Sequence, residues 1–194
     1  MKKSANAHYG RIGGALIIFA AFQLVASVLV AQHIYPNYSL QNNYISDLGV
    51  GSTAALFNTS IIAFGIILIV SGILILKSGR KYRAIAFIVA GIGGMCVGLF
   101  PETTGLPHII AATIAFGGVA VSAICFTKVF RGAARYYSLI SGLLGIAILA
   151  LFILGLLGIH ISTGLGKGGF EEILFYNEVL WALVTGISMV TRRI

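Results

Sequence analysis

Five acidic residues and three of the four histidines in this 194-residue chain stand in or beside three short polar stretches. The acids are Asp47, Glu102, Glu171, Glu172 and Glu178, and the histidines are His33, His108 and His160. Carboxylates and imidazoles together suit a divalent cation such as zinc. Asp47, Glu102, His108, His160 and Glu178 are therefore the candidate ligands, and Ser46 is a hydroxyl beside them. A metal-bound water next to Ser46 would be a hydrolytic arrangement. No HExxH or other tight ligand spacing occurs in the sequence, so convergence depends on the fold.

The elements that would position these residues are read from composition. Apolar residues make up 58% of the chain and charged residues only 9%, against about 25% charged in a soluble domain. Too few charges remain to clothe a soluble core, so lipid must cover most of the surface. A bilayer core needs about 20 apolar residues per helix. Six runs meet that need, near 12–31, 55–76, 84–100, 108–129, 137–159 and 172–190. The expected architecture is all-α, an integral membrane bundle of six transmembrane helices forming a single domain over 1–194. The first run is too long for the apolar region of a signal peptide, and reads as a retained span.

Charge placement gives the orientation. Lys2, Lys3, Arg11, Lys77, Arg80, Lys81, Arg83, Lys128, Arg131, Arg135, Arg192 and Arg193 fall on one side of such a bundle, leaving only Lys167 opposite. The positive-inside rule places both termini in the cytoplasm, in a multi-pass cell-membrane protein. Topology accounts for the net charge of +8, with membrane lipids as natural partners and no nucleic acid required. The acids and histidines lie on the other, outer side. Acidic residues contribute little to topology, so that segregation asks for a different cause.

In the first outer loop, Leu40, Tyr44 and Leu48 recur every four residues. This predicts a short helix over 39–49, capped by Ser39 and stopped by Gly49. Asp47 would sit in its last turn, where the dipole disfavours an anion and a basic partner, amine or metal should compensate. Pro36-Asn37-Tyr38 reads as a turn. In the second loop, Glu102 and His108 are close enough to form a carboxylate–imidazole pair. Glu171 and Glu172 suit the N-terminus of span six. Glu178 lies roughly 10 Å further along that helix, within the apolar run, where a carboxyl is costly. The seven-residue spacing puts Glu171 and Glu178 on one face, with Trp181 close to it. Asn58, inside span two, is a candidate for a hydrogen bond across the bundle.

Other strings carry less. Gly164 to Gly169 satisfies GxGxxG but lies between membrane helices, not between a strand and a helix. Cys96 and Cys125 sit singly in apolar runs and read as buried thiols. Asn37-Tyr38-Ser39 and Asn58-Thr59-Ser60 match the glycosylation sequon, the first in a loop. Gly94 and Gly98 form a GxxxG pair suited to close helix packing.

Tyr44-Ile45-Ser46-Asp47-Leu48-Gly49, Leu56-Phe57-Asn58, and Gly98-Leu99-Phe100-Pro101-Glu102 with His108 carry a resemblance. They resemble the six-span prokaryotic membrane family known as domain of unknown function 998, itself distantly similar to the eukaryotic Frag/DRAM/Sfk-type proteins. The resemblance implies the six-helix fold and runs from span one to span six. It brings no assigned activity, substrate or cofactor.

Two functions are compatible with this reading. The leading one is an accessory or structural subunit of a larger membrane protein complex, or a lipid-organising protein, docking through lipid-facing small residues such as Gly94. The alternative is an outward-facing polar site of Ser46, Asp47, Asn58, Glu102, His108, His160 and Glu178. Such a site would bind a metal or small ligand, or act as a membrane-embedded hydrolase.

Overall fold

The computed structural model describes residues 2–158 and 164–191; His160, Arg192 and Arg193 lie outside the described residues. Six helices carry the chain: α1 (Lys2–Ile34), α2 (Ala54–Lys77), α3 (Lys81–Leu99), α4 (Leu106–Phe126), α5 (Ala133–Leu156) and α6 (Gly169–Thr191). No strand occurs among the described residues, and all six helices are long and apolar enough to cross a membrane. Their bounds match the six apolar runs to within about four residues, except that α1 starts near the N-terminus. Helix continues through Lys2 and Lys3 because nothing in residues 2–11 breaks it, although apolarity begins only at Ile12.

Each helix packs on its sequence neighbours, and α6 returns to α1, so the six close into a ring. Small residues set the seams, since apolar burial supplies little force between helices in lipid. On α2 and α3, a methyl group at Gly65 would fall 2.5 Å from the Gly91 carbonyl oxygen, and one at Gly91 2.6 Å from that of Gly65. The closing seam repeats this device: a methyl at either Gly14 or Gly186 would lie 2.8 Å from the other's carbonyl oxygen. Gly94 is buried against α2, not lipid-facing, so it is not a docking residue. Its GxxxG pair is an internal seam, with Gly98 packed against the Asn58 backbone.

The ring is filled by aromatic side chains. Trp181 is wholly buried, stacked on Phe87 at 5.8 Å between centroids, with Phe126 edge-on to both rings. The Trp181 indole donates to the Ser138 hydroxyl at 2.8 Å, which donates to the Ala123 carbonyl at 2.7 Å. That relay ties α6 to α5 and α5 to α4, and it satisfies an indole N–H that burial would otherwise strand.

The two ends of the bundle differ in charge. One carries the α2–α3 and α4–α5 turns, with Lys77, Arg80, Arg131 and their neighbours. The other carries the connections α1–α2, α3–α4 and α5–α6, and is called here the acidic end.

Candidate functional site

At the acidic end the α1–α2 connection is folded back over the bundle. It forms no α-helix. A turn at Pro36–Asn37, with Asn37 at φ 55°, leads through further turns into short 3-10 helices at Ser46–Gly49 and Gly51–Thr53. The predicted helix over 39–49 fails because polar side chains take its backbone groups. Asn43 Oδ1 accepts the Ser39 amide at 3.1 Å, Asp47 Oδ2 accepts the Tyr44 amide at 3.2 Å, and Glu171 Oε2 accepts the Ile45 amide at 2.7 Å. The four-residue recurrence of apolar side chains instead reflects Leu48 plugging the bundle, fully buried, while Leu40 stays exposed.

Asp47 is compensated, as its position demands, but by several groups at once. Its Oδ2 also accepts Asn43 Nδ2 at 3.0 Å and lies 3.9 Å from the Lys167 ammonium, which sits 4.5 Å over the Tyr44 ring. The Glu102 carboxyl completes the group by hydrogen bonding to Asp47. Burial raises the Asp47 carboxyl, but the bond from Glu102, the Asn43 amide, Lys167 and the Tyr44 amide together hold it below its ordinary value. Glu102 goes the other way: burial, the bond to Asp47 and the negative charge of Asp47 push it up to about 8. One proton is thus shared by two carboxyls, held on Glu102 and donated to Asp47.

This pairing replaces the expected Glu102–His108 contact. His108 is buried and its Nδ1 lies 2.8 Å from the Phe100 carbonyl, closing the α3–α4 turn, and no ion pair joins it to Glu102 among the described residues. Asn58 likewise stays local. Its Nδ2 donates to the Gly49 carbonyl at 3.0 Å, anchoring the loop instead of crossing the bundle, and its Oδ1 has no hydrogen-bond partner among the described residues.

Two further clasps were hidden from sequence reasoning. Glu172 Oε1 accepts both Gln32 Nε2 and Tyr38 Oη at 2.8 Å, joining α6 to the end of α1 and the first loop. Burial raises the Tyr38 phenol well above its ordinary value, opposed by Gln32 and reinforced by Glu172, so it stays a donor. The α5–α6 loop lies across the α1–α2 loop through Lys167 N–H to Gln41 O at 2.9 Å and Gly168 N–H to Leu40 O at 3.1 Å. A side chain at Gly168 would collide with Asn43 O. The glycine string there serves this close crossing.

Beneath the clasped loops lies a cavity of about 60 Å³ enclosed by α1, α2, α3, α4 and α6. Ser46, His108 and Glu171 stand at its loop end, and its walls are otherwise almost wholly apolar. Glu178 and Trp181 line it further in, following the helical stripe that begins at Glu171. Glu178 is 5% exposed and its Oε1 has no hydrogen-bond partner among the described residues. Gly145 on α5 leaves room for that oxygen, since a methyl there would lie 3.2 Å from it.

The candidate residues therefore divide. Asp47 and Glu102 form the loop clasp with Asn43 and Lys167, Asn58 anchors the loop, and Ser46, His108 and Glu178 line the cavity. His160 lies outside the described residues. No three His, Cys, Asp or Glu side chains among the described residues come together as a metal site. The reason is that Asp47 and Glu102 are spent on each other, while His108 and Glu178 face a different space. The Ser46 amide turns to Glu171 at 3.4 Å and His108 Nδ1 to the Phe100 carbonyl at 2.8 Å, contacts that hold the loop and the α3–α4 turn.

The shared proton makes the clasp sensitive to alkali. Because the folded Glu102 carboxyl holds its proton above the ordinary carboxylate range, its stabilising effect is lost as pH rises through about 8. Amide protection over Tyr44–Gly49, corrected for intrinsic exchange, should fall as pH rises above the ordinary carboxylate range and level off above about 8. Glu102→Gln, which keeps a donor facing Asp47, should remove that fall; an equal fall in both proteins would contradict the shared proton.

No curated protein matches this sequence, and no solved structure matches it. A family model does match, over residues 18–188, from the middle of α1 to the end of α6. The matched stretch contains the whole clasp and the cavity beneath it, and by that match the chain belongs to the DUF998 family of proteins of unknown function.

Proposed function

We propose that this protein binds a small, mostly apolar molecule inside its helix bundle, admitted from the acidic end. The cavity carries the reading: an apolar space closed by loops that hydrogen bonds hold in place, with polar groups only at its mouth and at Glu178. One water-sized group needs about 10–15 Å³ of such space, so the cavity suits roughly four to six groups in a row. That is the size of a short chain or a single ring, not of a whole phospholipid. The distribution of basic residues supports an outer position for the acidic end, with both termini in the cytoplasm. The loops then act as a lid between the outer aqueous face and the bundle interior.

Trp181 is the chain's single tryptophan and lines the cavity, so its fluorescence reports occupancy. Adding 1-bromobutane to the purified protein should quench Trp181 with saturation. Ala112→Phe, which puts a ring into the cavity from α4, should abolish the saturable part while the protein still folds. Quenching that is linear in both proteins would contradict a binding cavity.

A further inference from the structure

Four observations bear on what the cavity holds. First, the Glu178 carboxyl lines the cavity, and its buried Oε1, beside Gly145 of α5, has no donor among the described residues. An unpaired polar atom in an apolar interior costs free energy that a donor on a ligand would recover. Second, Phe57, Phe64, Phe116, Phe175, Phe87 and Trp181 all line the same space. Aromatic faces attract cations through the ring quadrupole, most strongly where water is excluded. Third, Lys167 is the only lysine or arginine at that end among the described residues; it lies beside Asp47, and with Glu102 protonated the remaining acids there are Glu171 and Glu172. A mouth so biased attracts cations and repels anions. Fourth, no lysine or arginine among the described residues lines the cavity to neutralise Glu178, and its one histidine, His108, stands at the loop end with Nδ1 on the Phe100 carbonyl.

We infer that the ligand is a compact organic amine, whose N–H-bearing ammonium pairs with the Glu178 carboxyl among the aromatic rings. This rests on the cavity reading and names its ligand class. The N–H is required because the under-bonded Glu178 carboxyl needs a donor, which a quaternary ammonium lacks. The apolar part of the amine fills the remaining space towards Phe87 and Trp181.

The test displaces 1-bromobutane from Trp181 with n-butylamine, 1-butanol and butyrate, which match in size and differ in charge and donors. The wild-type protein should release the quencher at a butylamine concentration at least about tenfold below that for 1-butanol, as expected for a charge-assisted bond. Butyrate should be weakest. Glu178→Gln should erase the amine's advantage and leave 1-butanol unchanged. Phe116→Leu, which removes one ring and keeps the carboxyl, should weaken butylamine more than 1-butanol.

If 1-butanol or butyrate displaces as well as butylamine in the wild-type protein, the amine inference is overturned and the cavity reading stands. If butylamine keeps its advantage in Glu178→Gln, the role of Glu178 is overturned. If 1-bromobutane does not quench Trp181 saturably at all, the cavity reading falls and the inference with it. The wild-type comparison decides between these even should Glu178→Gln fail to fold.

Discussion

Glu171→Ala frees the lid. The Ile45 amide loses its acceptor at 2.7 Å and the Ser46 amide its longer contact at 3.4 Å, both to the same carboxylate oxygen. Leaving a buried donor unpaired costs about 1–3 kcal/mol, or roughly 5- to 150-fold in an opening equilibrium. Hydrogen exchange of the 44–49 segment should accelerate by that factor. The helices should keep their protection, because their seams do not involve Glu171. The clasp at Asp47 and the crossing of Lys167 over Gln41 still tether the loop, so it opens without leaving. Quenching of Trp181 by 1-bromobutane should then approach equilibrium faster. Unchanged exchange at 44–49 would show that Glu171 does not hold the loop.

The second large effect lies at the α2–α3 seam. Gly91→Ala places a methyl 2.6 Å from the Gly65 carbonyl and 2.9 Å from the Ile69 amide nitrogen, both backbone atoms that cannot turn aside. The helices must part, and in lipid no hydrophobic gain offsets the lost contacts. Overpacking of this kind costs about 1–3 kcal/mol, and the thermal midpoint in detergent should fall accordingly. Gly117→Ala is the control. Its methyl would meet only the flexible end of Leu149 at 3.5 Å, so a change within about 0.5 kcal/mol is expected. Equal midpoints for the two variants would contradict the seam as described.

The six spans were legible because hydropathy and the basic-residue pattern depend on the membrane and not on tertiary contacts. The stripe Glu171–Glu178–Trp181 was legible too, since helical period alone puts those positions on one face, and all three line the cavity. The pairing of Asp47 with Glu102 was not. It joins two loops whose approach depends on how α2, α3 and α4 pack, and sequence spacing drew Glu102 towards nearby His108 instead. Glu172 shows the same gap. The helix dipole accounts for an acid at its position, yet its partners, Gln32 and Tyr38, come from the other end of the chain. The first loop misled by periodicity: Leu40, Tyr44 and Leu48 mimic a helix face, but Asn43, Asp47 and Glu171 claim the amides a helix would have used. Gly94 misled by type, because a small residue suits an internal seam as well as a docking face.

The cavity should be filled in the cell. Native mass spectrometry of the protein, released gently from its own membrane, should show the chain carrying one small organic molecule. That added mass should be lost in Ala112→Phe. A wild-type spectrum of bare chain, or of the chain bound only to another protein, would contradict the account and favour a subunit role instead.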